Sequence, residues 1–175
     1  MFELQPTLNG KLLKLRPMRA EDFGELHAAS SDPLIWEQHP EQDRYKEERF
    51  RKYFDGGIEC GGALLILDAK TNEIIGSSRY YGLDLAASEI EIGWTFLTTR
   101  YWGGVYNQEL KQLMLEHAFK FVDNVLFFVG PENIRSRKAV EKLGATLIGT
   151  RSRFGNESVV YRLAKSDFES QGFKR

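Results

Sequence analysis

The middle of the chain carries three strand patterns in succession, and this succession restricts the fold more than any other feature of the sequence. Residues 62–83 (GALLILDAKTNEIIGSSRYYGL) predict two strands joined by a tight turn. Residues 88–97 (SEIEIGWTFL) predict a third strand, in which Ile90, Ile92 and Trp94 recur at every second position and are expected on one face. Strands connected by such short turns run antiparallel, so we expect these three to form a meander.

Helix and strand patterns alternate on both sides of this meander. Residues 11–18 (KLLKLRPM) predict a half-buried strand. Two segments before the meander have the spacing of helices, and the glycine pair Gly56 and Gly57 should end the second of them; these segments are residues 20–30 and 41–54. The C-terminal half predicts an amphipathic helix, an apolar strand, a helix and a hairpin, at residues 110–121, 125–130, 134–143 and 145–164.

This order predicts a mixed α+β domain rather than a doubly wound parallel sheet, because its helices cannot all connect parallel strands. The chain has 175 residues and carries no linker or repeat, so we expect one domain spanning residues 1–175. It contains no signal-peptide pattern and nothing near the roughly 18 consecutive apolar residues of a membrane span. We therefore expect a cytoplasmic protein that does not enter a membrane.

Composition excludes several classes of partner. The 24 Lys and Arg residues balance 25 Asp and Glu residues, so neither nucleic acid nor an anionic membrane is an expected partner. The single cysteine excludes an internal disulfide, and the three histidines are too scattered to predict a metal site. Composition does not decide the oligomeric state, and a homodimer stays open.

Two adjacent glycines, Gly103 and Gly104, stand where the first helix after the meander is expected to begin. A helix N-terminus presents unpaired amide N–H groups and the positive end of the helix dipole, and glycines let a phosphate come close to that backbone. A tight strand-to-helix turn is the alternative for a lone glycine pair. The chain contains neither GxGxxG after a strand nor GxxxxGK[ST], so a Rossmann or P-loop nucleotide site is not predicted.

Three segments together resemble the GNAT acetyltransferases, in particular their ribosomal-protein N-acetyltransferase (RimJ/RimL-like) branch. They read LRPMRAEDF, RYWGGVYNQELKQLMLEHAF and VGPENIRSRKAVEKLGAT. In that branch the glycine loop typically reads YWGKGYATEA, and the matching residues here are Tyr101, Trp102, Gly103, Tyr106 and Glu109. The departures are Gly104, Val105 and Asn107. The second motif, PxNxxSxxxxEKxG, is matched by Pro131, Asn133, Ser136, Glu141, Lys142 and Gly144.

The resemblance implies a mostly antiparallel, twisted central sheet of six to seven strands flanked by about four helices. It also implies acetyl-CoA as co-substrate and no metal. The pyrophosphate would lie on the amides of residues 103–107, and the pantetheine arm would run beside the strand that ends at Leu97. The implied cofactor-binding residues are Phe96, Leu97, Arg100, Trp102, Gly103, Gly104, Val105, Tyr106, Asn107, Asn133, Arg135, Ser136 and Lys138.

Acetylation of an amine needs a group that accepts a proton from the amine and one that protonates the leaving thiolate. Glu89 and Glu91 alternate with isoleucines, so both carboxylates are expected on the other face of their strand. The resemblance implies Glu91, in EIGW, as the base, acting directly or through water; an exposed polar face is the alternative for both glutamates. It implies Ser136 as proton donor to the thiolate, with Tyr106 and Tyr101 as weaker candidates, and a helix N-terminal serine that caps its own backbone is the alternative.

The implied function is an N-acetyltransferase that moves an acetyl group from acetyl-CoA to a primary amine, on a protein N-terminus or a small molecule, by direct attack in a ternary complex. Residues 33–54 are expected to bind the acceptor, with ordinary helix packing as the alternative; the candidate side chains are Trp36, His39, Tyr45 and Tyr53. The departures Val105 and Asn107 motivate a second hypothesis, a catalytically inactive CoA-binding or interaction module of the same fold.

Overall fold

The strands of the chain form one sheet, in which a single parallel pair interrupts an antiparallel arrangement. The computed structural model describes residues 1–172. Within them the strands are β1 Leu8–Asn9, β2 Leu13–Pro17, β3 Ala63–Asp68, β4 Ile74–Asp84, β5 Glu89–Leu97, β6 Asn124–Val129, β7 Thr146–Arg153 and β8 Asn156–Ala164. Their order across the sheet is β1-β2-β3-β4-β5-β6-β8-β7, and the parallel pair is β5 with β6.

The α-helices cover both faces of the sheet. They are α1 Phe23–Ser30, α2 Glu47–Cys60, α3 Val105–Ala118, α4 Ile134–Lys142 and α5 Lys165–Ser170. On one face, Leu26 of α1 and Phe54 of α2 share an apolar cluster with Leu65 of β3. On the other face, Leu110 of α3 shares a second cluster with Leu64 of β3. Leu64 and Leu65 are neighbours in β3 and pack on opposite faces of the sheet, because successive side chains of a strand alternate between its faces.

The mixed α/β fold with its mostly antiparallel sheet is confirmed, and the described chain has eight strands and five helices where six to seven and about four were expected. The additional strand β1 has two residues and the additional helix α5 has six, too few to show a period in the sequence. Tertiary contacts form them: Leu8 pairs with Leu15, and Phe168 packs on Phe119 with ring centroids 5.2 Å apart. No helix in residues 1–172 is long and apolar enough to cross a bilayer.

Helix α2 differs most from its prediction. It begins at Glu47 rather than at residue 41, and it continues through the glycine pair that was expected to end it. Gly57 is needed for close packing: a Cβ there would lie 3.2 Å from the Arg79 guanidinium and 3.3 Å from the Ala63 side chain. The bare backbone therefore lets α2 approach the sheet. The helix ends instead at Gly61, whose φ of 65° is left-handed.

A bulge in β5 places Trp94 on the face opposite Ile90 and Ile92, so the prediction that these three residues share a face is wrong. Trp94 has a φ of 51°, and the pairing of β4 with β5 shifts between Ser77 and Arg79, opposite the bulge. Ile90 and Ile92 pack in the cluster that contains α3, whereas Trp94 packs against the cluster that contains α2. One extra residue in a strand reverses the alternation beyond it.

Glu109 joins the first turns of α3 to the start of β2. Its carboxylate accepts three backbone hydrogen bonds, from the N–H groups of Lys11, Leu12 and Leu13, at 2.9, 2.8 and 2.9 Å. Gly10 makes room for this contact, since a side chain there would collide with the carboxylate. The start of α3 is therefore fixed to a strand three positions away from β5 in the sheet.

We expect Glu109→Ala to lower the free energy of unfolding by about 2 kcal/mol, because three amide groups lose a charged acceptor. Glu109→Gln keeps one carbonyl oxygen and should lose roughly half as much. Gln108→Ala, at the exposed neighbouring position, is the matched control and should change the stability by less than about 0.5 kcal/mol. Urea denaturation measures all three, and equal stability of Glu109→Ala and Gln108→Ala would contradict the anchoring role.

Candidate active site

Strands β5 and β6 form only a short ladder and then separate. Their last pair is Glu91 with Leu126, although the strands continue to Leu97 and Val129. The bulge at Trp94 follows directly, and a bulged strand bends. Beyond the last pair, the facing N–H and C=O groups of the two strands no longer pair with each other, as at the edge of a sheet. The gap can therefore accept an extended chain that binds backbone groups.

This gap, which we call the β5–β6 cleft, is reached from both faces of the sheet. Side chains from α3 and α4 line it, and so do side chains from residues 35–44, between α1 and α2. Its polar lining includes His39, Arg44, Thr95, Asn107, Lys111, Asn133, Arg135 and Ser136. Arg44, Lys111 and Arg135 are basic in addition to the imidazole of His39, and no carboxylate from the described part of the chain belongs to the lining. The cleft therefore favours ligands that carry negative charge.

The glycine pair forms an open corner between Trp102 and Asn107, which both line the cleft. Gly103 and Gly104 have φ angles of 107° and 113°, and no atom of a non-adjacent described residue lies within 4 Å of where a Cβ would be. Val105 begins α3 and is 61% exposed. The first amides of α3 lack acceptors within the helix, so an anion can approach them here.

Trp102 and Arg135 meet across the cleft. The Arg135 guanidinium carbon lies 4.1 Å from the centre of the indole ring, and the indole N–H donates to the carbonyl of Leu97 at 2.9 Å. Arg135 also donates to the carbonyl of Ile35 at 3.2 Å and lies 3.9 Å from the carboxylate of Glu37. This pair of side chains thus ties α4 both to the loop before α3 and to the segment before α2.

The other predicted cofactor-binding residues divide into two groups. Those that line the cleft are Phe96, Leu97, Asn107, Asn133 and Ser136. Those with other surroundings are Arg100, which pairs with Glu73 at 2.6 Å, Tyr106, which packs on Tyr101, and Lys138, which is exposed. Of the predicted acceptor residues, Tyr45 contacts His27 through its carbonyl at 3.1 Å. Of the two basic residues of α4 in the cofactor-binding set, Arg135 thus lies at the cleft and Lys138 lies in solvent.

Helix α4 begins at the cleft with Asn133 as its N-cap. The side-chain oxygen of Asn133 accepts the backbone N–H of Ser136 at 3.2 Å. Asn133 therefore caps this helix, whereas the alternative considered from the sequence was that Ser136 caps its own backbone. The Ser136 side chain lines the cleft one turn into the helix.

Glu91 is buried, and Arg153 of β7 binds both of its carboxylate oxygens. The two guanidinium N–H groups donate at 2.6 and 2.7 Å in a bidentate arrangement. Burial raises the pKa of Glu91 above its ordinary value, and the hydrogen bonds and charge of Arg153 oppose this rise. Arg153 is in turn surrounded by aromatic rings, those of Tyr81, Trp94, Phe128 and Phe154. Glu89, the second candidate, is half-buried at the start of β5.

Lys111 lines the cleft, and the sequence analysis did not select it. Its side chain points under β5, where Nζ donates to the hydroxyl of Thr95 at 2.8 Å, and that hydroxyl hydrogen-bonds with Ser78 at 2.7 Å. Lys111 is 6% exposed, and burial lowers its pKa to about 7. A signal was present in the sequence, because Lys111 follows Asn107 by four residues and therefore shares its helix face.

The segment of residues 35–44 brings aromatic rings and basic side chains to the side of the cleft nearest α2. Arg44 lies between two rings, 5.2 Å from the centre of Trp36 and 5.0 Å from that of Tyr53. Its buried Nε has no hydrogen-bond partner within residues 1–172. Burial and, second, the charge of Arg44 lower the pKa of His39 to about 3. The imidazole is therefore neutral and sits beside a fixed positive charge.

Residues 13–146 match the family model described as the acetyltransferase (GNAT) domain. No curated protein gives a significant sequence match. A GCN5-related N-acetyltransferase from Brucella melitensis shares the fold with a TM-score of 0.80 and 18% identity, over 94% of this chain and 81% of that one. RimJ from Mycobacterium smegmatis, in complex with CoA-disulfide, aligns with a TM-score of 0.71 and 18% identity, over 95% and 91%. Spermidine N-acetyltransferase from Vibrio cholerae, in complex with CoA and spermine, aligns with a TM-score of 0.69 and 15% identity, over 91% and 99%.

We expect Arg153→Ala to lower the free energy of unfolding by about 2 kcal/mol near pH 8, because Glu91 is left buried without its cation. Burial is then opposed only by the charge of Arg79, so the pKa of Glu91 should rise further. A carboxyl group whose pKa is raised in the folded state destabilises that state as the pH increases, so part of the loss should be recovered near pH 5.

The control for this prediction is Arg151→Ala, which removes an exposed guanidinium from the same strand. It should change the stability little at either pH. Urea denaturation at both pH values measures the difference. A deficit for Arg153→Ala that is the same near pH 5 and near pH 8 would contradict a buried ion pair at Glu91.

Proposed function

The chain belongs to the GNAT acetyltransferase family, and we propose that it transfers the acetyl group of acetyl-CoA to a primary amine by direct attack in a ternary complex. The proposal rests on the fact that two binding sites, the glycine corner and the β5–β6 cleft, lie next to each other. The open amide corner at residues 103–107 adjoins the cleft where β5 and β6 have separated. The corner suits a diphosphate and the cleft suits a chain that contains amides. Acyl-CoA carries both groups on one molecule.

The chain's own residues would hold this substrate at three places. The amides of residues 103–107 would bind the diphosphate, and the free edge of β5 near Phe96 and Leu97 would bind the pantetheine amides. Asn133 would add a hydrogen bond to that arm, and Ser136 would protonate the thiolate as it leaves. The bound thioester supplies the activated acyl carbon. Holding both substrates together provides much of the acceleration, without an acyl-enzyme.

The structure changes the role that we propose for Glu91. A carboxylate whose two oxygens already accept hydrogen bonds from Arg153 takes up a proton only when that guanidinium moves away. We therefore propose that the pair of Glu91 and Arg153 shapes the acceptor side of the site, together with the aromatic rings of Trp94 and Phe154 around the guanidinium.

Charge in the cleft favours some acceptors over others. A polyamine would place several positive charges near Arg44 and Arg135, whose partners Glu41 and Glu37 lie outside the lining. An acceptor with a single amine, such as a protein N-terminus, avoids that repulsion. We therefore propose a single amine on a neutral or anionic acceptor, although a structural neighbour is a spermidine N-acetyltransferase.

We expect calorimetry to show CoA binding that Gly103→Val weakens at least about tenfold, because a β-branched residue resists the positive φ and displaces the first amides of α3. Gly82→Val is the matched control. Gly82 also has a positive φ, 61°, with open space around it, and lies in β4 outside the cleft. Equal loss of CoA affinity in both variants would contradict a diphosphate site at residues 103–107.

Turnover tests the transferase directly. Purified protein with acetyl-CoA and a panel of amines should release free thiol, fastest with a peptide N-terminus and slowest with spermine. Ser136→Ala should lower kcat about tenfold or more while the CoA affinity stays within a factor of about three. Ser170→Ala, in the exposed last turn of α5, should change neither. Tight CoA binding without thiol release from any amine would instead support the inactive binding module.

A further inference from the structure

We propose that Lys111 accepts the proton from the acceptor amine, an assignment that rests on the proposed function. The side chain lies on the cleft-facing side of α3 and reaches the underside of β5. Its Nζ is 2.8 Å from the hydroxyl of Thr95, the residue next to the bulge. That position is just past the last β5–β6 pair, where the cleft opens. Lys111 therefore presents an amine inside the gap rather than at its rim.

The surroundings of Lys111 favour its neutral form. Its one hydrogen-bond partner among the described residues is a hydroxyl, and the ring of Phe127 lies 5.8 Å away. The other charged groups of the cleft lining are Arg44 from the segment before α2, which pairs with Glu41, and Arg135 from α4, which lies 3.9 Å from Glu37. Neutral His39 adds no charge. The pKa of about 7 follows from burial, and a neutral amine is a proton acceptor at physiological pH.

The other bases near the cleft are poor proton acceptors. Arg153 holds both oxygens of Glu91. His39 accepts the backbone N–H of Glu41 at 2.9 Å through Nδ1, and its Nε2 faces the guanidinium of Arg44 at 3.2 Å. Its pKa of about 3 makes it a very weak base. Lys111 is the remaining lining side chain in residues 1–172 whose pKa lies near neutrality.

The acceptor enters as an ammonium ion and gives one proton to the neutral Nζ of Lys111. Its nitrogen then bonds to the thioester carbonyl carbon, and the carbon–sulfur bond breaks with its electron pair on sulfur. The new amide nitrogen loses its second proton to the Ser136 hydroxyl, which passes a proton to the thiolate. Lys111 returns its own proton to water when the products leave.

The test is the pH dependence of kcat/KM for an alkylamine whose own pKa is above about 9. In the wild type, kcat/KM should rise to about pH 7 and then stay level up to the pKa of the substrate. Lys111→Met keeps the length and apolar stem of the side chain. This variant should lower kcat about 100-fold and leave the CoA affinity within about threefold of the wild type. Its kcat/KM should keep rising with pH up to the pKa of the amine, with no level region.

A chemical variant separates basicity from packing. Cys60 is the single cysteine, so Cys60→Ser with Lys111→Cys allows 2-bromoethylamine to build a lysine analogue at position 111 alone. Sulfur lowers the basicity of that amine, so activity should return with the start of the level region moved to lower pH. Restored activity with an unmoved profile would overturn the proposal. Lys120→Met, at an exposed position just after the same helix, is the matched control and should keep the wild-type profile.

The outcomes distinguish this assignment from the proposed function. If the wild type turns over and Lys111→Met is equally active, the proposed acetyltransferase function stands and the proposed role of Lys111 is overturned. Equal losses of CoA affinity and of kcat/KM, with the level region retained, would assign Lys111 a structural role and also overturn the proposal. A wild-type preference for succinyl-CoA that vanishes in Lys111→Met, with an unchanged pH profile, would assign it to acyl recognition instead. CoA binding without turnover of any amine would overturn the transferase and this role together.

Discussion

The separation of β5 from β6 inside a continuous sheet is the constraint on which the rest of the structure depends. Backbone groups that lose their ladder need other partners, so a sheet does not open in its middle without support from elsewhere. Helices α3 and α4 supply that support. Glu109 ties the start of α3 to β2, and Arg135, in the cleft lining, joins α4 to Trp102 and to the carbonyl of Ile35. The cleft is therefore held open by contacts of these two helices with other parts of the fold.

The bulge at Trp94 decides what each face of β5 offers to this cleft. Without the extra residue, alternation from Ile90 and Ile92 would put Trp94 under the sheet and Thr95 above it. With it, Trp94 joins the aromatic rings around Arg153 on the side of α2, and Thr95 meets Lys111 on the side of α3. A single backbone irregularity thus separates an ion-paired aromatic side from a side with a buried amine and hydroxyl groups.

Local patterns were enough to predict the meander, the final hairpin and the helix after the glycine pair, because each depends on hydrophobic period and turn residues within one segment. They failed where a distant contact decides the outcome. Gly57 is helical because α2 packs close to Arg79, and Glu91 is bound by a guanidinium 62 positions further along the chain. Lys111 was passed over because its burial arises from the strands above it, which the helical pattern of α3 alone does not reveal.

The charge of the cleft explains why an amine suits it better as a proton acceptor than a carboxylate. A carboxylate placed near Arg44 and Arg135 would be stabilised in its ionised form, and the stronger that stabilisation, the weaker the base. On Lys111, burial favours the neutral amine, which is the form that accepts a proton. An anionic substrate entering the cleft offsets part of this positive charge, which increases the affinity of Lys111 for a proton. In the proposed reaction, the base would thus become stronger when the acyl donor is already in place.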